Sequence, residues 1–517
     1  RFNTPLAGNS NVDSAAAIFD VEKTAWYIQD RVTVNDKLEV TLGARLDLQS
    51  TPDTPLTNPK FVERHGFTNA TTFDFEVLQP RFSFNYDATD MFSDFGNVTE
   101  ATLRGGKGLF VGRIPNVWWS NPYTRSGGLT DYNRFRSFSS TIGVMPAASV
   151  ADPRFFWVGP TSNYQVRGAY FGDAQATDPN FKAPSSWRSN IGLDIATENG
   201  YFWTFEYNVD EVKYGVLYKD LTLEQIGTLA DGRGVYDGDG DYLLTNGDSG
   251  STEAWTVSVN KSVGDVKFLA AYTNMEALSE FDATSSQAES SYNYFSRYDG
   301  ENYEKARSDF MVEHKFLGSM DYTTQLWGDN DTRFSLIYVR KSGRPYSVVY
   351  DSPGYNAISG PAYYSDNALA YIPTGKDDPK VMFTSDAVAE EVMNFINNGP
   401  LAAYKGKVAP RNAFNDPWTS RLDLRVTQDV ALPEVVSMLG DNKLVLYFDV
   451  LNVLNFLDDE NGLVYSHNYN QSKQIVLDGV EDGKVVIKGI DADDNYFART
   501  GDGDSSWLMQ FGFSWKF

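Results

Sequence analysis

The sequence predicts an all-β fold: a transmembrane, antiparallel, up-and-down β-barrel with long loops at one end. Three observations predict it. Strand-like segments with a period of two recur along the whole chain. Their connections alternate between short and long. The last segment, "WLMQFGFSWKF", sets Trp507, Met509, Phe511, Phe513, Trp515 and Phe517 on one face and Leu508, Gln510, Gly512, Ser514 and Lys516 on the other. Side chains alternate across a strand, so this ending is a strand with one large apolar face and one small or polar face.

Composition narrows the classes. Hydrophobic residues make up 41% of the 517 positions and aromatics 15%, enough for a sizeable core. A formal charge of -25 argues against nucleic acid as a partner. With no cysteine, there is no disulfide framework and no thiolate metal site. The three histidines, His65, His314 and His467, are too scattered for a histidine-rich centre. No run of about 18 apolar residues exists, so no transmembrane helix is expected, whereas a spanning strand needs only about 9–11 alternating residues. No signal peptide is visible and the chain starts at Arg1, which predicts a processed or incomplete chain.

The elements follow in order. "WYIQDRVTV" (26–34) turns through Asn35-Asp36 into "KLEVTLGARLD" (37–47), where Leu38, Val40, Leu42, Ala44 and Leu46 oppose Glu39, Thr41, Gly43, Arg45 and Asp47. Further strands are expected near 74–87 and 101–112. "WRSNIGLDIA" (187–196) and "YFWTFEYNV" (201–209) alternate in the same way. Others are expected at 254–262, 265–275, 306–317, 332–341, 420–429 and 443–453, before the final strand. Alternation alone also fits a soluble sandwich. Connection lengths separate the two. Short connectors (34–37, 197–200, 262–265) and intermediate ones (near 88–100, 318–331, 431–442) alternate with long ones (48–73, 113–186, 219–253, 276–305, 342–417, 454–505). Short turns at one end and long loops at the other describe a membrane barrel, and loops this long count against a soluble domain. One loop segment, "SDAVAEEVMNFINNG" (385–399), reads as a short helix. About thirteen strands result, an odd number, whereas a whole bacterial barrel has an even one.

Several stretches resemble TonB-dependent outer-membrane receptors. "YIQDRVTVNDKLEVTLGARLD" (27–47) is similar to their mid-barrel signature. "LQPRFSFNYD" (78–87), "LRGGKGLFVGRIPNVWWSNPY" (103–123), "NDPWTSRLDLRVTQD" (415–429) and "YFDVLNVLN" (447–455) resemble the Oar-like branch. The resemblance implies about 13 strands of a 22-stranded, plugged barrel, with residues 1–517 as its C-terminal portion. The plug, the N-terminal domain and the first strands would lie outside this sequence. It implies a Gram-negative outer membrane with the long loops extracellular. The implied partners are outer-membrane lipid and lipopolysaccharide, a TonB-type energising complex reached through the missing N-terminal part, and an unidentified ligand, with peptide or protein as the candidate class. Phe517 fits the C-terminal strand signal of such barrels.

Other motifs are weighed one by one. In "YDGDGDYLLTNGD" (236–248), Asp237, Asp239 and Asp241 have the 1-3-5 spacing of a calcium loop and Asp248 stands at position 12. Position 6 is Tyr242 rather than Gly, and position 12 is Asp rather than Glu. Calcium in the extracellular loops is therefore the one candidate cofactor, and a solvated acidic turn is its alternative. "DADDNY" (491–496) and "GDGDSS" (501–506) are weaker instances. "RGGKG" (104–108) lacks the phosphate-loop pattern, and its glycines suit strand bending or close approach of a plug. Trp118 and Trp119 could serve a ligand or glycan, with loop folding or the aromatic belt as the simpler role. Arg421, Asp423 and Arg425 suit pairing along a lumen wall. No nucleophile–base pair with usable spacing is found, so no enzyme activity is expected. The main expectation is a receptor that imports, or helps export, its ligand. The rivals are a non-transporting surface barrel whose acidic loops serve adhesion or matrix assembly, and a soluble secreted glycan-binding protein or enzyme.

Overall fold

A computed structural model describes residues 2–5, 17–127, 130–133, 173–238, 240–351, 367–431, 443–491, 498–499 and 502–516. Thirteen strands lie side by side in chain order. They are β1 (Glu22–Asn35), β2 (Leu38–Ser50), β3 (Phe75–Asp87), β4 (Val98–Val111), β5 (Ser185–Thr197), β6 (Tyr201–Tyr214), β7 (Gly250–Val263), β8 (Val266–Ser279), β9 (His314–Trp327), β10 (Asn330–Lys341), β11 (Thr419–Val430), β12 (Lys443–Leu451) and β13 (Leu508–Lys516). Every neighbouring pair is antiparallel. A two-residue strand, Ala306–Arg307, adds to β8 at Leu278 and Ser279. Among the described residues β1 and β13 do not pair, and the sheet has two edges.

At one end tight turns close the β1–β2, β5–β6, β7–β8 and β9–β10 hairpins, and a 3-10 helix, Thr89–Phe95, joins β3 to β4. Asn35 Oδ1 accepts from the Lys37 and Leu38 backbone amides at 2.9 Å each. In the β7–β8 and β9–β10 turns, Gly264 and Gly328 have φ of 56° and 61°, where a side chain would be strained and two-residue hairpin loops favour glycine. The connections that follow β2, β4, β6, β8, β10 and β12 leave the sheet at the opposite end.

The register fixes what each face carries. Met509, Val450, Leu424, Leu336, Met320 and Phe268 sit opposite one another across six strands. Phe511, Phe448, Val426, Phe334, Tyr322 and Val266 form the next row. This face is exposed: Phe511 is 72% and Phe513 68% accessible. The other face carries ion pairs. Arg425 Nε and Nη2 donate to the two carboxylate oxygens of Asp449 at 2.6 and 2.7 Å, and Arg421 Nε meets Asp423 at 2.8 Å. Arg104 meets Asp194 at 2.9 Å and Glu206 at 3.4 Å. Pairing of Arg421, Asp423 and Arg425 along a polar wall is thus what the fold contains.

One strand expectation needs correction. The alternating segment 306–317 is not a spanning strand; β9 runs from His314 to Trp327 and its turn is tight rather than intermediate. After the two residues that pair with β8, residues 308–311 are held by the loops, with Ser308 N donating to Ala277 O at 2.9 Å and Asp309 N to Asp282 Oδ2 at 2.8 Å. Their alternation serves the loops. Leu317 on the polar face, and Gly318 and Thr324 on the apolar one, blur the alternation of the true strand.

The long loops form a layer with structure of its own. It contains α1 (Pro59–His65), α2 (Asn116–Thr124), α3 (Ala288–Asn293) and α4 (Asp386–Asn398). The expected helix at 385–399 is α4. Ser385 caps it, its hydroxyl accepting from Val388 N at 3.2 Å. Ala389, Val392, Met393 and Ile396 fall on its buried face, as 3.6-residue periodicity requires. They pack against a five-stranded sheet that includes Pro345–Asp351, Gln471–Glu481 and Lys484–Ile490. Trp119 of α2 is 5% exposed, its ring centroid 3.5 Å from that of Phe73. Trp118 packs against the same cluster, so the two tryptophans build the loop layer.

Candidate functional site

The polar face of the sheet holds a recess of about 560 Å³. Two cross-strand rows build it. In one, Gln29, Gly43, Arg81, Gly108, Arg188, Asp210 and Thr252 lie opposite one another in turn. In the row below, Thr41, Ser83, Gly106, Asn190 and Asn208 do the same. Glycines keep the floor low. A Cβ on Gly106 would stand 2.7 Å from Phe82 O, a position no real side chain takes. Within the chain, what Gly106 accommodates is the backbone of the neighbouring strand.

The recess is basic within an acidic chain. Arg81 and Arg188 flank the Phe110 ring, with guanidinium carbons 4.5 and 5.7 Å from its centroid. Asp210 pairs with Arg188 at 2.8 Å, while Arg81 makes no ion pair among the described residues. The net cation suits an anionic or hydrogen-bonding group passing along the wall. Sequence reading did not find this site. Each member comes from a different strand, and only the register unites them.

In the loop layer the described candidate calcium ligands, Asp237, Asp241 and Asp248, form no metal-holding group. Asp241 is fully buried and its carboxylate is already occupied. Arg64 Nε and Nη2 reach Oδ2 at 2.9 and 2.6 Å, His65 Nε2 lies 2.7 Å from it, and Ala174 N donates to Oδ1 at 2.7 Å. Helix α1 presents both partners in its last turn. Its N-terminus is fixed by Asn58, whose side chain accepts from Lys60 N and Phe61 N. Asp237 and Asp248 are exposed, and Asp239 lies outside the described residues. Among the described residues no group of three or more His, Asp or Glu side chains is placed to hold a metal ion.

Burial tunes two other acids. Asp220 is 3% exposed, and its pKa is pushed up to about 6 by burial, with Glu301 and Asp241 adding repulsion. Its Oδ1 accepts from Thr222 N and Oγ1 at 2.9 and 2.6 Å. Asp309 is also pushed up to about 6, first by burial and then by Asp282, against the pull of Arg411 and Asn412.

A second recess, about 380 Å³, opens in this layer near Asp309. The Tyr469 ring stacks on Tyr294 with centroids 4.1 Å apart and planes 5° off parallel. Tyr469 has φ 54° and ψ 24°, and Asn470 has φ 54°. Left-handed backbone costs a bulky residue about 1–3 kcal/mol. Asn470 Nδ2 anchors the turn on Asp309 O at 3.0 Å. Gly343 lets the chain before Arg344 lie against residue 416, since a Cβ there would collide with Asp416 O. The only advance signal was the aromatic–asparagine string "HNYN" at 467–470, which has no fixed spacing to read.

A family model described as an outer membrane beta barrel domain matches residues 2–458. No curated protein matches the chain. Among solved structures, the chain is similar to the siderophore receptor PirA from Pseudomonas aeruginosa, at 10% identity and TM-score 0.35, covering 84% of this chain and 45% of that one. It is also similar to the FrpB iron transporter from Neisseria meningitidis, at 9% identity and TM-score 0.38, covering 85% and 42%. A third is the outer membrane transporter YddB from Escherichia coli, at 10% identity and TM-score 0.40, covering 96% and 54%. The chain thus spans about half or less of these proteins. The match over residues 2–458 and the thirteen-strand sheet with its exposed apolar face lead to one conclusion: the chain belongs to the outer membrane beta-barrel domain family and resides in the outer membrane.

Proposed function

We propose that residues 1–517 are the C-terminal barrel portion of a TonB-dependent receptor of the Oar-like branch, which moves a ligand too large or too scarce for porins across the outer membrane. The observation that supports this most is the basic recess on the polar face, where Arg81, Arg188, Asn190 and Asn208 point from three strands into one space. A purely adhesive barrel has no need of such a space in its wall. The proposed partners are lipopolysaccharide around the apolar belt and a TonB-type energiser reached through segments outside this sequence. Import is the favoured direction, because the structured loops stand at the end where a ligand would be met.

The test is in-cell cross-linking of the full-length protein to a TonB-type periplasmic domain. A specific cross-link that strengthens when the ligand is present supports energised transport. Its absence, together with normal surface display, would turn the reading to a surface barrel. Replacing Arg81 and Arg188 by Gln should lower transport and leave surface levels intact.

A further inference from the structure

We propose that the loop recess around Tyr469 binds a neutral saccharide. One face of the Tyr469 ring rests on Tyr294, yet the residue is still 59% exposed, so the rest of the ring is presented to the recess. Phe310, 61% exposed, lines the same space. Single exposed aromatics are ordinary. Two in one concavity, with polar groups converging around them, have the make-up of a ligand pocket.

The backbone points the same way. Tyr469 and Asn470 both occupy the left-handed region, and the turn is held there by Asn470 on Asp309 O. A bulky residue at positive φ is a true outlier, and such outliers gather at ligand clamps. Here the turn places the Tyr469 ring on its Tyr294 support at the edge of the recess.

Charge decides the ligand class. Arg411 lies 3.2 Å from Asp282 and 3.9 Å from Asp309, and His467 Nδ1 lies 2.8 Å from Asp416 Oδ1. These charges answer one another. Arg344 lines the recess, is exposed and makes no ion pair among the described residues. One guanidinium in a chain of formal charge -25 is a poor receptor for a polyanion. It is a good fork for a vicinal pair of hydroxyls, and Ser290 and Asn468 add small polar groups to the rim. A ligand with a flat C–H face for the ring and hydroxyls for the rim is a pyranose. An extended peptide prefers an open strand edge. Of the strands beside this turn, Pro345–Asp351 and Gln471–Glu481 are each paired on both sides, and Tyr465–Ser466, paired on one side among the described residues, is only two residues long. The inference rests on the loop layer facing outward and does not depend on transport.

The test uses the full-length protein in detergent and a panel of neutral tetrasaccharides of glucose, galactose and mannose, with acidic and neutral tetrapeptides as counter-probes. Calorimetry should show saturable binding of at least one saccharide at millimolar or lower concentration. Tyr469→Ala and Arg344→Ala should each weaken it about tenfold or more, and Tyr469→Phe should keep it. Heat-modifiable migration on gels reports folding of each variant. Should Tyr469→Ala fail to fold, Ser290→Trp fills the recess without touching the turn and should abolish binding. Three results would overturn the proposal: no tetrasaccharide binds, binding is undiminished when the recess is filled, or only the peptides bind there. A saccharide that binds without being transported would sustain this site and count against the transport reading alone.

Discussion

The sheet and the loop layer of this protein divide labour in the reverse of a soluble fold. The three clusters of fully buried apolar side chains consist of loop residues, among them Phe61, Trp119, Tyr292, Tyr350, Ile396 and Ile475. The thirteen strands contribute only partly buried neighbours such as Phe75, Val77 and Val111. Many of their own large apolar residues, Phe82, Ile191, Ile337 and Phe511 among them, are exposed, while Leu109 and Val450 are buried. In water such a surface would be a liability. In a bilayer it is the solvated face, and the ladder satisfies the backbone internally. The loop layer, facing water, folds by ordinary hydrophobic burial. One chain therefore carries two solvents' rules.

The largest expected effect separates the two regions by packing. Ile475→Ala, fully buried beside Val485 and Ile487 in the loop layer, should cost about 2–5 kcal/mol through the cavity it leaves. Leu424→Ala in β11 should cost far less, because acyl chains fill the space. Chemical denaturation in liposomes, with protease sensitivity of the loops followed in parallel, measures both.

Charge should invert that order. Leu424→Arg or Phe511→Arg on the apolar face should cost about 2–4 kcal/mol near the bilayer midplane. Gln510→Arg and Arg425→Lys on the polar face should cost much less. Equal refolding yields for the two faces would mean the assignment of lipid and lumen is wrong.

These two contrasts also mark what the sequence could and could not convey. Alternation is local, so twelve of the thirteen strands could be placed from it to within a few residues. The exception, β9, carries Leu317 on its polar face and Gly318 and Thr324 on its apolar one, while the alternating residues 308–312 just before it belong to the loop layer. The Arg421–Asp423 pair was legible because partners on one face recur at even spacing, whereas the partner of Arg425, Asp449, comes from the next strand through the register. The basic recess was not, since Gln29, Arg81, Arg188 and Asp210 meet only through the register of six successive strands. The loop layer was hidden for the same reason. Asp241 looked like a ligand in a local acidic string, and only long-range folding brings it to Arg64 and His65.

A smaller effect should come from pH, and only in the loop layer. Asp220 and Asp309 have folded pKa values near 6, above the usual carboxylate value, because burial disfavours their charged forms. The folded state therefore binds more protons than the unfolded one between about pH 4 and 6. Their contribution to loop stability is fully present below about pH 4 and is lost as pH rises through about 6. Hydrogen exchange of the loop layer should show protection falling over that window, and Asp220→Asn should flatten the fall.

The calcium proposal for Asp237, Asp239, Asp241 and Asp248 makes the smallest and most local claim. An ion bound with Asp241 would have to displace Arg64 and His65. Calcium should then slow proteolysis of the loop around residue 240 and loosen helix α1, and Asp237→Asn with Asp248→Asn should remove both effects. Proteolysis indifferent to calcium in the parent protein would leave the stretch as a solvated turn.

The absence of cysteine in this chain allows the central claim to be measured directly. Single cysteines placed in turn along β13, from Met509→Cys to Trp515→Cys, can carry nitroxide labels in liposomes. Oxygen partitions into lipid and a nickel chelate stays in water. The account predicts a period of two: oxygen access at 509, 511, 513 and 515, and nickel access at 510, 512 and 514. Uniform nickel access, or the reverse alternation, would contradict it.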